Sequence, residues 1–486
     1  MTAVPHQRMF IGGEWVDSRL GATFETTNPW TGEVLATVAA GDPEDTREAI
    51  RLAHEAFAPW ADSAPRVRQD VFLAAGTILE SRREELRALL ANETGCTRHF
   101  ADIQVDFAVS LFRQCAALPY QPVGQLLPSD VPGTRAMAIR KPVGVVGAIA
   151  PWNAALTLTA RTIAAPLALG NSVVLKPSEE APLTGLLLGA VMSEAGLPSG
   201  VLNIITHGSG DAGLVGDELV ANPLVRRITF TGSTATGRRL AENAGRHLKR
   251  LLLQLGGQNP LIVLEGVDLD YAVEAAAFGA FVHQGQVCMC ARRIYVEAAI
   301  ADEFTRRFAD KVASLPMGDP RDPRTVIGPV INPWALSKIS RRVREAVAGG
   351  ARVIAGGTAA PPCYPATVLT NVPKDIELAF DETFGPVVVL EVVKDREEAI
   401  SRANASAFGL TAAVLAGDSV QGLEVASRLQ AGIIHVNDQP VNDEPQMPFG
   451  GTKDSGWGRF STGFAVDDLT ELQWVTTRDS PRAFPF

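Results

Sequence analysis

Short apolar runs separated by longer amphipathic stretches fill the middle of the chain. Val145-Val-Gly-Ala-Ile-Ala150, Ser172-Val-Val-Leu-Lys176, Val201-Leu-Asn-Ile-Ile205 and Arg227-Ile-Thr-Phe230 show no regular inside/outside alternation. Runs of this kind, spaced by segments of helical periodicity, predict parallel strands covered by helices. A second set, Leu261-Ile-Val-Leu264, Arg293-Ile-Tyr-Val296, Val387-Val-Val-Leu-Glu391 and Gly432-Ile-Ile-His-Val436, predicts another α/β unit in series with the first.

Before these units the pattern differs. Phe10-Ile-Gly-Gly-Glu-Trp-Val16 reads as strand, turn and strand, and Asn28-Pro-Trp-Thr-Gly32 as a turn. From about Pro43 to Ala117 the chain reads as helical. Asp42-Pro-Glu-Asp45 is a helix-start signal, and Ile50, Ala53, Ala56 and Phe57 recur at helical spacing. Pro119, Pro122, Pro128 and Pro132 then break the pattern, and the polar segment around them is expected to lie outside the main core. No internal repeat or linker is visible.

At 486 residues the chain has room for two or three domains. Its formal charge of −10 carries no basic footprint for a phosphate backbone, so nucleic acid is not expected as a ligand. Cys96, Cys115, Cys288, Cys290 and Cys363 are an odd, sparse set, which favours a reducing cytoplasm over a disulfide framework. No signal-peptide pattern opens the sequence. Arg161 and Glu194 interrupt the most apolar stretches, so none reaches the ~18 residues that cross a bilayer.

Several local strings could carry chemistry. Gly208-Ser-Gly-Asp-Ala-Gly213 follows a predicted strand and fits a dinucleotide-binding glycine pattern. Phe230-Thr-Gly-Ser-Thr-Ala-Thr-Gly237 also follows a strand and opens a helix, whose N-terminal amides favour an anion. Local pattern alone does not choose between them. Lys176 and Glu179, just past a strand end, could grip the two hydroxyls of a ribose or simply be solvated charges. Cys288, in Gly285-Gln-Val-Cys-Met-Cys290, is either a small buried hydrophobe or a nucleophile. The Cys-x-Cys pair has no partner cluster at metal spacing, so no metal site is expected.

Taken together these strings form an ordered set. Pro151-Trp-Asn153, Lys176-Pro-Ser-Glu179, Phe230-Thr-Gly-Ser233, Leu255-Gly-Gly257, Gly285-Gln-Val-Cys288, Glu382-Thr-Phe-Gly-Pro386 and Pro448-Phe-Gly-Gly451 occur in sequence, and the last continues through Ser455-Gly-Trp-Gly-Arg459. In this order and spacing the chain resembles the NAD(P)-dependent aldehyde dehydrogenase superfamily along essentially its whole length.

The resemblance implies an α/β fold with a Rossmann-like NAD-binding domain from 1–119 and 143–253 and an α/β catalytic domain over 254–450. It also implies a small β flap, 120–142 and 460–486, that bridges subunits of a homodimer or homotetramer. Cys288 is then the nucleophile, and the Asn153 amide helps hold the oxyanion of a thiohemiacetal. Cofactor contacts fall to Trp152, Lys176, Glu179, Phe230, Gly232, Ser233, Gly256, Glu382 and Phe384. A carboxylate at Glu179 would accept from a ribose 2′-hydroxyl and repel a 2′-phosphate, which favours NAD over NADP.

One departure from the family pattern stands out. The general-base glutamate expected just before Leu-Gly-Gly is replaced by Gln254, and an amide can orient water but cannot take its proton. Deacylation is therefore the step in question. Another carboxylate substitutes, the acyl group leaves to an acceptor such as coenzyme A, or turnover is slow. A catalytically silent fold kept for binding is the remaining alternative, against which the retained Cys288, Asn153 and Glu382 argue.

For the substrate, the resemblance places Ala154, Thr157, Leu158 and Arg161 along a tunnel that Val287, Met289 and Phe449 complete. Small side chains at 154 and 157 make room for a flat ring, and Arg161 could pair with a ring hydroxyl, phenolate or carboxylate. The segment from Val436 to Pro448 resembles the salicylaldehyde, benzaldehyde and vanillin branch, so an aromatic aldehyde is the expected substrate.

Overall fold

A computed structural model describes residues 4–486. The predicted helical region is four helices, Pro43–Ala61, Pro65–Ser81, Arg83–Thr94 and Arg98–Cys115. The first begins where the sequence places it. Asp42 accepts a hydrogen bond from the Asp45 amide at 2.9 Å, and the Asp45 carboxylate accepts from the Asp42 amide at 3.1 Å. This reciprocal cap satisfies two amides that the helix start would leave without partners. The third helix stops at Gly95, whose φ of 65° is the left-handed conformation that a helix end commonly requires.

The predicted strands of the first set lie in an eight-stranded sheet. Its order is Gly456–Trp457, Arg250–Gln254, Val225–Thr231, Val145–Ile149, Ser172–Lys176, Leu202–Ile204, Met9–Ile11 and Glu14–Val16. The inner five are parallel, and the flanking strands run antiparallel. From Val145–Ile149 the chain winds outward through two strands, then returns to its other side for two more. The order therefore reverses between Val145–Ile149 and Val225–Thr231. A parallel sheet opens a ligand crevice beyond the carboxyl ends of the strands at such a point.

The helix Ala155–Ala168, which leaves this crevice, is buried along its whole length between the sheet and the N-terminal helices. Its largely apolar sequence, broken by Arg161 and three threonines, follows from having no solvent face.

The second sheet has seven strands in the order Arg352–Ala355, Thr367–Thr370, Val387–Val393, Ala291–Glu297, Asn259–Val263, Thr411–Leu415 and Ile433–Val436. All neighbours are parallel except the first pair. The proline-rich segment forms Gly124–Leu127 and Thr134–Pro142, and the latter pairs with both Gly124–Leu127 and Thr470–Arg478 in a separate antiparallel sheet. Among the described residues no helix is long and apolar enough to cross a membrane.

Candidate active site

The reversal in strand order opens into a cleft of about 670 Å³. Ser178, Glu179, Ser209, Gly232 and Ser233 line it, together with Asn153, Gln254, Cys288, Glu382 and Phe384. Both glycine-rich strings reach the cleft, but unequally. The first contributes Ser209, whereas the second contributes Gly232 through Ala235.

The second string also opens the helix Thr234–Arg246, where the Ser233 hydroxyl caps the Thr236 amide at 3.3 Å. This puts a helix N-terminus at the cleft wall, which favours an anionic group. Gly232 packs over the Phe230 ring, and a Cβ there would lie 2.5 Å from that ring. Trp152 and Phe384 meet edge to face at 5.6 Å and add apolar wall.

Lys176 is turned away from the position its spacing suggests. Its buried Nζ lies 2.5 Å from Nε2 of His207, which is itself 3.8 Å from the Glu179 carboxylate. Burial pulls the lysine down to about 8 despite Glu179, and burial plus the Lys176 charge pull His207 down to about 4. At neutral pH the imidazole is therefore uncharged and accepts from the ammonium. Glu179 lines the cleft, with Lys176 and His207 behind it.

Cys288 sits in a loop whose shape is set by backbone constraints. After the helix Leu269–Phe281, His283, Gln284 and Gly285 have φ values of 51°, 55° and 65°. Gly285 packs so closely on the Gly385 backbone that any Cβ there would collide with it. Arg292 ties the two segments together, donating to Gly385 O at 3.0 Å, Gly285 O at 2.6 Å and Val287 O at 3.1 Å. Asn259 holds the loop from the other side through Cys288 O at 2.7 Å and Cys290 O at 2.9 Å. The Asn153 amide donates to Gln286 O at 2.9 Å, which sets it against the same loop.

Of the five cysteines only Cys288 is not fully buried, and it alone lines the cleft. Burial of its sulfur and then the neighbouring Glu382 charge push its thiol up to about 12. Cys290 is inside, with its thiol directed toward Val282 O at 3.8 Å.

Gln254 ends the strand Arg250–Gln254, paired in register with Thr231 and Gly456. Its backbone carbonyl accepts from Gly232, and its buried side-chain amide has no protein partner. Glu382 is half-buried, with its carboxyl turned inward. Burial raises its carboxyl to about 7, against the lowering influence of Arg292, and its Oε1 has no partner. A Cβ on Gly256 would collide with this carboxylate, so the glycine leaves the space that Glu382 fills.

The residues expected to line a substrate tunnel are all buried and do not line this cleft. Ala154, Leu158, Val287, Met289 and Phe449 form part of the apolar cluster against which Cys288 and Trp152 pack. Thr157 and Arg161 lie on the same buried helix. Arg161 is ion-paired with Asp443 and stacked between Phe107 and Phe449. It does not extend to solvent.

Arg292, Asn259, His207 and Asp443 escaped the sequence reading. Only Asp443 lay within a segment that the sequence singled out. Among the described residues no cluster of three or more histidine, cysteine or acidic side chains could hold a metal ion.

Residues 15–475 match the aldehyde dehydrogenase family. The chain is similar to vanillin dehydrogenase of Pseudomonas fluorescens, at 44% identity over 98% of this chain and 99% of that one. It is 39% identical to the benzaldehyde dehydrogenase (NAD+) of Pseudomonas putida, over 98% of this chain and 97% of that one. Its fold superposes on the crystal structure of a salicylaldehyde dehydrogenase from Pseudomonas putida complexed with salicylaldehyde. The TM-score is 0.96 at 39% identity, covering 99% of this chain and 100% of that one.

Proposed function

The chain belongs to the aldehyde dehydrogenase family, and on that footing we propose that it oxidises an aromatic aldehyde to the carboxylic acid, with NAD as hydride acceptor. The observation that carries this reading is Cys288 itself. It is the one cysteine open to the cleft, and it shares that cleft with the Asn153 amide, Gln254 and Glu382.

The cleft fits a dinucleotide. The helix start at Ser233 suits a pyrophosphate, Glu179 suits ribose hydroxyls, and the Glu382 carboxylate across Gly256 has a free acceptor for a second ribose. When bound, NAD supplies a hydride acceptor. The chain's residues do the remaining work. The Cys288 thiolate adds to the aldehyde carbon, and the Asn153 amide with the Cys288 backbone N–H holds the developing oxyanion. Loss of hydride from that carbon leaves a thioester on Cys288, which water then cleaves.

The aromatic substrate is supported by the apolar, ring-lined surroundings of Cys288 and by the relatives' names. Arg161 contributes one buried donor, Nη1, that no protein group accepts from. This atom suits a ring hydroxyl, phenolate or carboxylate. Gln254 favours one second reading, acyl transfer to coenzyme A. Product analysis separates the two. Aromatic aldehyde and NAD should yield the free acid at a rate unaffected by coenzyme A, whereas an acyl-coenzyme A product would establish the second reading.

We place the protein in the cytoplasm, where its five free thiols stay reduced. We also assign it a homodimeric or homotetrameric state. Leu126 and Trp474, 81% and 78% exposed, stand on the separate three-stranded sheet as an apolar surface suited to a second copy.

A further inference from the structure

Gln254 removes the expected proton acceptor, yet the cleft does not lack a carboxylate. Glu382 lies against Gly256, two residues past Gln254. Its carboxylate occupies the space that Gly256 leaves, where a Cβ would collide with Oε2. Gly257 in turn packs on the nucleophile's loop, where a Cβ would lie 2.8 Å from Cys288 O. Oε1 of Glu382 and both polar atoms of the Gln254 side chain are buried without protein partners, and both residues line the cleft with Cys288.

The segment is held rigidly. Arg342, fully buried, donates to the Glu382 carbonyl at 2.5 Å and pairs with Glu377 and Asp381. A carboxylate with a free oxygen, in one cleft with the nucleophile and with an amide able to orient water, has the parts of a divided general base.

We propose that Glu382 takes over the general-base role in thioester hydrolysis, with Gln254 orienting the water. The inference rests on the thioester reading above. Water's oxygen bonds to the acyl carbon while its proton passes to Glu382. The tetrahedral adduct then collapses, the carbon–sulfur bond breaks, and Cys288 departs as the thiolate. The proton on Glu382 returns to that thiolate or to solvent, and the carboxylic acid leaves. No electrons are transferred in the step.

The charge balance suits the task. Burial first, then Asp381, hold Glu382 up at about 7, against Arg292, Lys338 and the Gly257 N–H. The Cys288 and Cys290 thiols are the other titratable groups nearby, and a thiolate on either would raise it further. A base poised there works best near neutral pH. Deacylation should therefore rise with pH through about 7 and level off above it, because only the ionised carboxyl accepts a proton.

The test avoids the cofactor, which Glu382 would also contact. The full chain without NAD is acylated by p-nitrophenyl acetate, and intact-mass spectrometry follows loss of the acetyl group. In wild type the adduct should decay with an inflection near pH 7. Glu382→Gln should slow that decay by ~10²–10⁴-fold and abolish the inflection. Adding Gln254→Glu to that variant should restore decay, which a misfolded site could not show. An adduct in Glu382→Gln that decays within about threefold of wild type, with the same pH profile, overturns the assignment. An acyl adduct that still forms in Cys288→Ala overturns the thioester reading, and this inference with it.

Discussion

The guanidinium of Arg161 is paired with the carboxylate of Asp443, 282 residues further along the chain, between the rings of Phe107 and Phe449 at 4.7 and 4.1 Å. Arg161 is buried and the Asp443 carboxylate nearly so, at 12% exposed. Of the two terminal nitrogens of the guanidinium, Nη2 is paired with Asp443 and Nη1 is left without a partner. The pair thus neutralises a buried cation while keeping one of its donors available.

Removing either partner alone should be costly. Arg161→Met leaves Asp443 as an unpaired buried carboxylate, and loss of one partner of such a pair costs ~3–5 kcal/mol. Urea denaturation should show the double variant Arg161→Met with Asp443→Asn to be more stable than Arg161→Met alone. Additive losses would mean that the two residues do not share one electrostatic unit.

If Nη1 contacts the ring substituent, the same arginine governs substrate preference. Arg161→Met should raise KM for hydroxylated benzaldehydes by roughly 10–150-fold relative to benzaldehyde itself, the range of a charge-assisted hydrogen bond of ~1.5–3 kcal/mol. Equal changes for both substrates would confine Arg161 to packing.

A thiol held near 12 remains protonated throughout the neutral range. Alkylation of Cys288 by iodoacetamide in the protein without NAD should therefore accelerate about tenfold per pH unit from pH 6 to 9, since only the thiolate reacts. A plateau between pH 7 and 8 would show a far more acidic thiol.

Much of the fold is legible because its signals are local. Each singled-out apolar run coincides with or overlaps a strand, and Asp42 starts its helix through contacts with residues three positions on. Arg250–Gln254 escaped because its apolar core is only Leu251–Leu253 and follows a helix closely. Thr411–Leu415 and Thr367–Thr370 are equally short and wholly or largely buried. Within the site, Cys288, Asn153 and Glu382 are visible through their motifs. Arg292 and Asn259 are not, because their work is done on backbone carbonyls that only the folded chain brings within reach. His207 is likewise silent in the sequence, and it changes the expected picture by drawing Lys176 inward behind Glu179.

The carboxylate of Glu179 should set cofactor choice. Its charge opposes a 2′-phosphate, and at ~1 kcal/mol per unit charge pair in water-like surroundings the penalty is on the order of tenfold or more. Glu179→Gln should lower the Kd for NADP relative to NAD by about that factor in calorimetry. An unchanged ratio would move the discrimination elsewhere, with Lys176 and His207 the nearest groups.

The most direct measurement captures the acyl group on its carrier. Protein mixed rapidly with NAD and benzaldehyde, quenched in acid within the first turnover, can be digested and read by tandem mass spectrometry. A benzoyl group should appear on Cys288, formed in step with NADH during that first turnover. Cys288→Ala should form neither adduct nor NADH. A benzoyl group located on Cys290, or undiminished NADH formation by Cys288→Ala, would contradict the assignment of Cys288 as the nucleophile.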